Sequence, residues 1–185
     1  MRPPSLKAIL PDIGRILAIS PHVLYVRQQA LMRDAILESQ PGRGPGSGVV
    51  ASPETVATLL VAILSSVSLA DTPERAAAFC AAMPAKGSCP LTGAHNLKDA
   101  IAKVLSDPTI AERINGLLFG STIGQAFIRY DGVPFELGPE AFAAGEFKSS
   151  IFIASDIPKS PLRVSIDIDG DTVREIAALV AKLDR

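Results

Sequence analysis

Residues 12–27 read DIGRILAISPHVLYVR, a stretch whose spacing predicts two short helices joined by a tight turn at Ala18-Ile19-Ser20. Gly14 is the small residue that a helix-turn-helix needs where its second helix crosses the first. Ser20-Pro21 combines a preferred N-cap with proline at the first helical position, so we expect a new helix from Pro21 to about Leu37. The apolar residues expected to pack the two helices together are Ile13, Leu17, Ile19 and Leu24.

The second of these helices carries polar side chains of the types that contact DNA. Serine, glutamine and arginine hydrogen-bond to phosphates and base edges, and glutamine pairs with adenine through two hydrogen bonds. An ordinary helical hairpin in an all-α bundle would show the same apolar pattern, so both interpretations stay open. The predicted DNA contacts in this helix and its cap are Ser20, His22, Tyr25, Gln28 and Gln29, flanked by Arg27 and Arg33.

The charge of the chain is distributed unevenly. Residues 1–48 hold six basic and three acidic residues, a net +3, whereas the remainder holds 12 basic and 16 acidic residues, a net −4, which gives −1 for the chain. Neutralising phosphates supplies most of the non-specific affinity of a protein for DNA. A basic first segment on an acidic body is therefore typical of a small module that binds a polyanion.

Proline, glycine and capping residues punctuate the chain into further elements. A short helix over 5–10 is expected to stop at Pro11, and the octapeptide PGRGPGSG at 41–48 excludes helix or interior strand. After Gly120 the period of apolar residues changes from 3.6 to 2, and Asp131-Gly132 is a dipeptide favoured in hairpin turns. The remaining predicted helices cover 52–66, 72–83, 96–105, 107–118 and 171–183, and the predicted strands cover 123–130, 133–137, 147–154 and 162–168.

These elements predict an α+β fold. A mainly α-helical N-terminal part with a helix-turn-helix is followed by a small antiparallel β-sheet with a C-terminal helix. We expect three segments: 1–50 with the helix-turn-helix and a wing-like Gly/Pro-rich loop, 51–120 as a helical core or dimerisation region, and 121–185 as a β-rich unit. The alternation in VSIDID places Asp167 and Asp169 on one polar face. Such an acidic face would be repelled from DNA, so we expect it to contact protein.

The order of motifs resembles that of known regulators. The stretch around Gly14 is similar to the bacterial helix-turn-helix pattern that enters its second helix through Val/Ile-Ser-Pro, with Ala18 where glycine is usual and Arg27 where an apolar residue is common. Together with PGRGPGSG, "SPETVATLLVAILSS" and "IDGDTVREIAALV", it resembles small winged-helix-like regulators of alphaproteobacterial prophages and gene transfer agents, some of which activate those gene clusters. The resemblance implies DNA binding by the first half, activation of transcription, and contact with other transcription proteins. It would also place the loop where a wing lies, with Arg43 near the phosphate backbone, although a plain linker is the alternative.

Motifs for catalysis or cofactors are weak in this sequence. GRGPGSG lacks the Lys-Ser/Thr ending of a phosphate-binding loop, and the spacing of the histidines and cysteines does not fit a zinc site. The two cysteines are expected to be reduced thiols, the N-terminus is unlike a signal peptide, and the longest apolar stretch has 15 residues where a span needs about 20. We therefore expect a cytoplasmic protein that is not an enzyme, with no metal, cofactor or membrane partner.

The sequence thus predicts a sequence-specific transcription regulator that binds double-stranded DNA as a homodimer. RNA polymerase or another transcription factor is the expected protein partner. The alternative is an interaction or assembly factor of a mobile element that uses the same helices to bind protein and does not contact DNA directly. Salt-dependent binding to duplex DNA distinguishes the two.

Overall fold

The computed structural model describes residues 4–39, 48–120, 123–132, 148–155, 157 and 164–183. Within them, helices and one antiparallel sheet form an α+β fold, which confirms the predicted class. The helices are α1 (Leu6–Ile16), α2 (Pro21–Arg33), α3 (Pro53–Ser65), α4 (Thr72–Cys80), α5 (Leu97–Ser106), α6 (Pro108–Ala111) and α7 (Gly170–Val180). The strands are β1 (Met83–Pro84), β2 (Ile114–Gly120), β3 (Gln125–Tyr130), β4 (Lys148–Ile153) and β5 (Ser165–Asp169).

The five strands lie in the order β1-β4-β3-β2-β5, and every neighbouring pair is antiparallel. Alternate side chains point to one face, which is buried: Leu117 pairs with Ile128, and Phe119 lies in register with Ala126 and Phe152. Helices α3 and α7 contact β2 and β5, and the ring of Phe79 in α4 lies 5.3 Å from that of Phe119. The sheet is therefore covered by helices drawn from both ends of the chain.

Helix α3 lies at the centre of the core. Every residue from Val56 to Ser65 is buried, as the uninterrupted apolar sequence predicts. It contacts α2, α4, α5 and the sheet. Its N-terminus is closed by a capping box, in which the Ser52 hydroxyl accepts from the Thr55 N–H at 3.3 Å and the Thr55 hydroxyl accepts from the Ser52 N–H at 2.9 Å.

Several sequence predictions about elements are wrong. The helix expected over 72–83 ends at Cys80, and Met83 belongs to strand β1. Pro11 does not stop the first helix, because α1 runs from Leu6 to Ile16 through it. The proline forfeits one hydrogen bond of the helix, and burial of residues on both sides of it, such as Leu10 and Ile13, holds the helix together. Helix 107–118 is also wrong: α6 ends at Ala111 and the following residues form β2, so the period changes earlier than expected.

The predicted strand at 133–137 lies outside the described residues. The neighbours that pair with β3 along its length are β2 and β4. Buried residues of all three predicted segments, such as Leu6, Leu60 and Ile176, belong to one hydrophobic cluster. In the part of the chain that the structure describes, the helices are too short or too polar to cross a bilayer.

Candidate functional site

The turn between α1 and α2 has the backbone geometry of a Schellman helix end. The Ile19 N–H donates to the Gly14 carbonyl at 2.9 Å, and the Ala18 N–H donates to the Arg15 carbonyl at 3.4 Å. Ala18 adopts a φ of 53°, in the left-handed region where glycine is favoured. The position at which the helix-turn-helix pattern usually has glycine therefore has the backbone conformation that glycine serves, although alanine occupies it.

Gly14 lies directly against this turn. A Cβ atom added to it would lie 2.6 Å from the Ile19 carbonyl oxygen and 3.3 Å from the Pro21 Cγ. Since real Cβ atoms do not approach backbone so closely, any other residue would displace the start of α2. Gly14 thus has the role that the sequence predicts for it.

The apolar residues between the helices also lie where the sequence predicts. Ile13 and Leu24 are fully buried, and Leu17 and Ile19 are half-buried against the same cluster. Helix α2 further contacts α3 and α4, so it is fixed on the body of the protein by one side. It ends at Arg33 rather than at Leu37 because Ala35, with a φ of 55°, forms a second Schellman end.

One face of α2 points to solvent. Counting from His22, the positions four, seven and eleven residues on lie on the same side of a helix, which gives Val26, Gln29 and Arg33. His22, Gln29 and Arg33 are exposed and Val26 is half-buried, and Ser20 is exposed just before the helix. We call these four residues of α2 the outward face.

Tyr25 connects the two helices at the edge of this face. It is half-buried, and the Lys7 ammonium lies 4.7 Å from the centre of its ring, which is a cation–π contact. Lys7 is an exposed residue of α1, so the contact brings a positive charge from the first helix to the flank of the second.

Gln28 does not belong to the exposed surface, and its predicted contact with bases is wrong for this conformation. Its side chain is 3% exposed, because position 28 follows Leu24 by four residues and so lies on the core side of α2. Its Nε2 lies 3.8 Å from the Met32 sulfur, and its Oε1 is buried without a hydrogen-bond partner in the described structure. The spacing from Leu24 was the signal in the sequence that places it inside.

Arg27 is also turned partly away from solvent. It lies one turn from Leu24 and Leu31, both fully buried, and its Nε atom is buried without a partner among the described residues. Helix geometry therefore separates Arg27 from the outward face, on which it was expected to flank the other contacts.

Two apolar residues of this surface were missed in the sequence because only polar side chains were considered. Val23 is 40% exposed, and Val26 lies within the outward face. Both could have been placed on this surface from the sequence, because Val23 and Val26 lie one and two residues from the buried Leu24 and so point away from its side of the helix.

Arg43 lies outside the described residues, so its predicted wing contact remains a prediction. The chain that follows the loop returns to the start of α1, since the Leu6 N–H donates to the Val49 carbonyl at 2.7 Å and the Ala51 N–H donates to the Pro4 carbonyl at 2.9 Å. The predicted loop is therefore anchored at its far end beside the first helix.

A second polar region is a cleft of about 560 Å³ where β2, β3, β5 and α7 meet. Two of its charged groups pair with each other, since Arg113 donates two hydrogen bonds of 2.7 Å to Asp131, and Lys148 at the start of β4 lies 3.3 Å from the same carboxylate. These partners lower the pKa of Asp131 to about 2, with the hydrogen bond from Arg113 as the largest cause. Within the described ranges, no cluster of three or more acidic, histidine or cysteine side chains could hold a metal ion. The pairing indicates a role in joining strand ends.

The comparisons with known proteins give no relative: no family model, curated protein or solved structure matches this chain.

Proposed function

We propose that this chain is a sequence-specific transcription regulator that binds duplex DNA through α1 and α2. The observation that carries the proposal is the turn at Ala18, with its left-handed backbone and with Gly14 packed against it. A helix-turn-helix joins its two helices through a short turn that often contains glycine, and the turn at Ala18 fits that description. A major groove about 12 Å wide admits an α-helix, and the 13 residues of α2 give a rod about 20 Å long.

The outward face has side chains suited to the groove. Gln29 can hydrogen-bond to adenine, His22 and Ser20 can contact base edges or phosphates, and Arg33 can contact phosphate or guanine. Arg33 lies 3.7 Å from Asp34, but both side chains are largely exposed, so this pair is weak and leaves the arginine available to DNA. Lys7 adds a cation at the flank of the same surface.

The proposal extends to assembly and context. A single recognition helix rarely supplies enough affinity, so we propose a homodimer that binds two half-sites. The resemblance described above makes activation of a prophage-like or gene-transfer-agent cluster in the cytoplasm the proposed process, with RNA polymerase or another transcription factor as partner.

The test is selection of bound sequences from a random duplex pool, followed by fluorescence anisotropy on a recovered site at several salt concentrations. We expect the affinity to fall steeply with salt. His22→Ala combined with Gln29→Ala should weaken binding to the recovered site at least tenfold, since each base contact is worth about 1–3 kcal/mol. Lys182→Ala, at an exposed position just after α7, is the control and should bind normally. Equal binding by the double variant would refute the assignment of α2.

A separate observation favours the alternative function of a protein-interaction or assembly factor. Met83 and Ile153 pair across β1 and β4 and are 65% and 49% exposed, and Ile151, two residues along β4, is 37% exposed. Neighbouring exposed apolar side chains of this kind are suited to contact with a protein partner. If purified chain failed to bind any duplex from the pool while it captured a partner through this corner, the alternative would replace the DNA-binding proposal.

A further inference from the structure

The solvent side of α2 has two valines among polar residues. Val23 is 40% exposed on the third residue of the helix, and Val26 is half-buried on the next turn. Val26 lies in the outward face between His22 and Gln29. The valines are three residues apart, so their side chains are neighbours on the helix surface.

Folding gives little reason for valine at position 23. A β-branched residue is a poorer helix former than alanine or a long polar residue, because the helix restricts its side-chain rotation. Val23 is 40% exposed and so recovers little free energy from burial, whereas the partly buried Val26 recovers more. An apolar partner in the bound state therefore explains Val23 better than the stability of α2 does, and Val26 is its apolar neighbour on the same surface.

In the major groove, that partner has a defined chemistry. Thymine is the base that presents a methyl group there, and apolar side chains contact this methyl group. The N-terminal residues of a recognition helix are the ones that reach base edges, and both valines lie in the first half of α2. Gln29 favours adenine, which is the partner of thymine in the same base pair.

We propose that Val23 and Val26 contact the C5-methyl groups of thymine, so that the DNA site selected by this chain contains A·T pairs opposite the first two turns of α2. This inference rests on the proposed function and specifies the bases that its surface selects.

The experiment uses the full chain and a site recovered from a random duplex pool. Each thymine in the site is replaced singly by deoxyuridine, which keeps the base pair and removes only the methyl group. We expect wild-type protein to bind about fourfold more weakly at one or two of these positions, the equivalent of about 0.8 kcal/mol for each methyl removed. Val23→Ala and Val26→Ala should each lose this discrimination at one position and bind both duplexes equally.

Matched variants separate this effect from a change in folding. Val67→Ala changes a valine that is 63% exposed between α3 and α4, and it should keep the fourfold preference. Because Val26 is partly buried, Val26→Thr is a second variant at that position: it keeps the shape of the side chain and one methyl group, so it should fold normally and retain part of the preference that Val26→Ala loses.

The outcomes distinguish the two proposals. If wild-type protein binds its site and tolerates every deoxyuridine, the thymine contact is refuted and the DNA-binding proposal stands. A preference for thymine that survives in both alanine variants also refutes the assignment to the valines. If no duplex can be recovered from the pool, the proposed function fails and this inference fails with it.

Discussion

At the scale of single residues, Gln28 shows the cost of a polar group in the core of a small protein. Its Oε1 atom is buried without a partner in the described structure, and the amide contacts the sulfur of Met32. An unsatisfied buried acceptor destabilises a fold by about 1–3 kcal/mol. Methionine has nearly the same shape and no such acceptor, so we expect Gln28→Met to raise the free energy of unfolding by about 1 kcal/mol.

Urea denaturation measures this stability, and anisotropy with the recovered DNA site measures function. Stability should rise while affinity for DNA stays constant, because residue 28 is not on the outward face. A loss of DNA affinity in the stabilised variant would show instead that Gln28 turns outward on binding.

Ala18 and Ala35 are each the left-handed residue at a Schellman helix end, with φ values of 53° and 55°. The left-handed conformation costs a residue with a Cβ about 1–2 kcal/mol, and glycine avoids this cost. Part of the stability gained is lost again, because glycine gives the unfolded chain more conformational freedom. We expect Ala18→Gly and Ala35→Gly each to raise the free energy of unfolding by about 0.5–1 kcal/mol. Ala178→Gly, at an exposed position inside α7, is the matched control and should lower it by about 1 kcal/mol. A loss of stability in all three variants would contradict the strain assigned to the turns.

At the scale of elements, capping residues were the best guide to structure. Ser52, Asn96 and Asp107 cap α3, α5 and α6 with side-chain hydrogen bonds, close to the helix starts expected from the sequence. Helix α4 starts at Thr72, where the sequence predicts a helix to begin, but its N-cap residue is Asp71, whose side chain makes no capping bond. Ser20 precedes α2 as expected, although its side chain makes no capping bond.

Strand β2 was harder to predict than β3 and β4, which lie close to the strands expected at 123–130 and 147–154. β2 is an interior strand between β3 and β5, and five of its seven residues are buried. Such a strand lacks the alternation of polar and apolar residues and looks like a buried helix in sequence. The candidate site shows the same limit, because residue type alone placed Gln28 outside and overlooked Val23.

Asp131, just after β3, forms ion pairs with Arg113, just before β2, and with Lys148 at the start of β4. These ion pairs predict that the stability of the fold depends on pH. Its pKa is lowered from the ordinary value of 3.8 to about 2 in the folded protein, chiefly by the hydrogen bond from Arg113. A carboxylate whose pKa is lowered by folding stabilises the fold above its unfolded pKa, and this contribution is lost as the pH falls from about 4 to 2. We expect Asp131→Asn to flatten the loss of stability over that range in acid denaturation curves. Asp12→Asn, at an exposed position in α1, is the control and should leave the slope unchanged.

At the scale of the whole molecule, the described elements depend on one another. The single hydrophobic cluster contains residues of α1, α3, β2 and α7, and α7 contacts α1 and α5 as well as the sheet. The unit formed by α1, the turn at Ala18 and α2 is therefore fixed on a core to which the last segment of the chain contributes. The proposed binding of DNA by the first segment should accordingly require the C-terminal part.

Removing everything after Gly120 tests this dependence. The cut would leave β2 without β3 and β5, its two neighbours, and would uncover the side of the core that Val173, Ile176 and Val180 now bury. Each large buried side chain contributes about 1.5–3 kcal/mol. Losing the burial of these three therefore removes a large share of the 5–15 kcal/mol that stabilises a typical domain. We expect residues 1–120 to lose cooperative thermal unfolding by circular dichroism and to lose affinity for the recovered DNA site in parallel. A fragment that melted cooperatively and bound DNA as the full chain does would show that the first 120 residues fold as an independent unit, and the β-rich segment would then be free for the protein contact expected of Asp167 and Asp169.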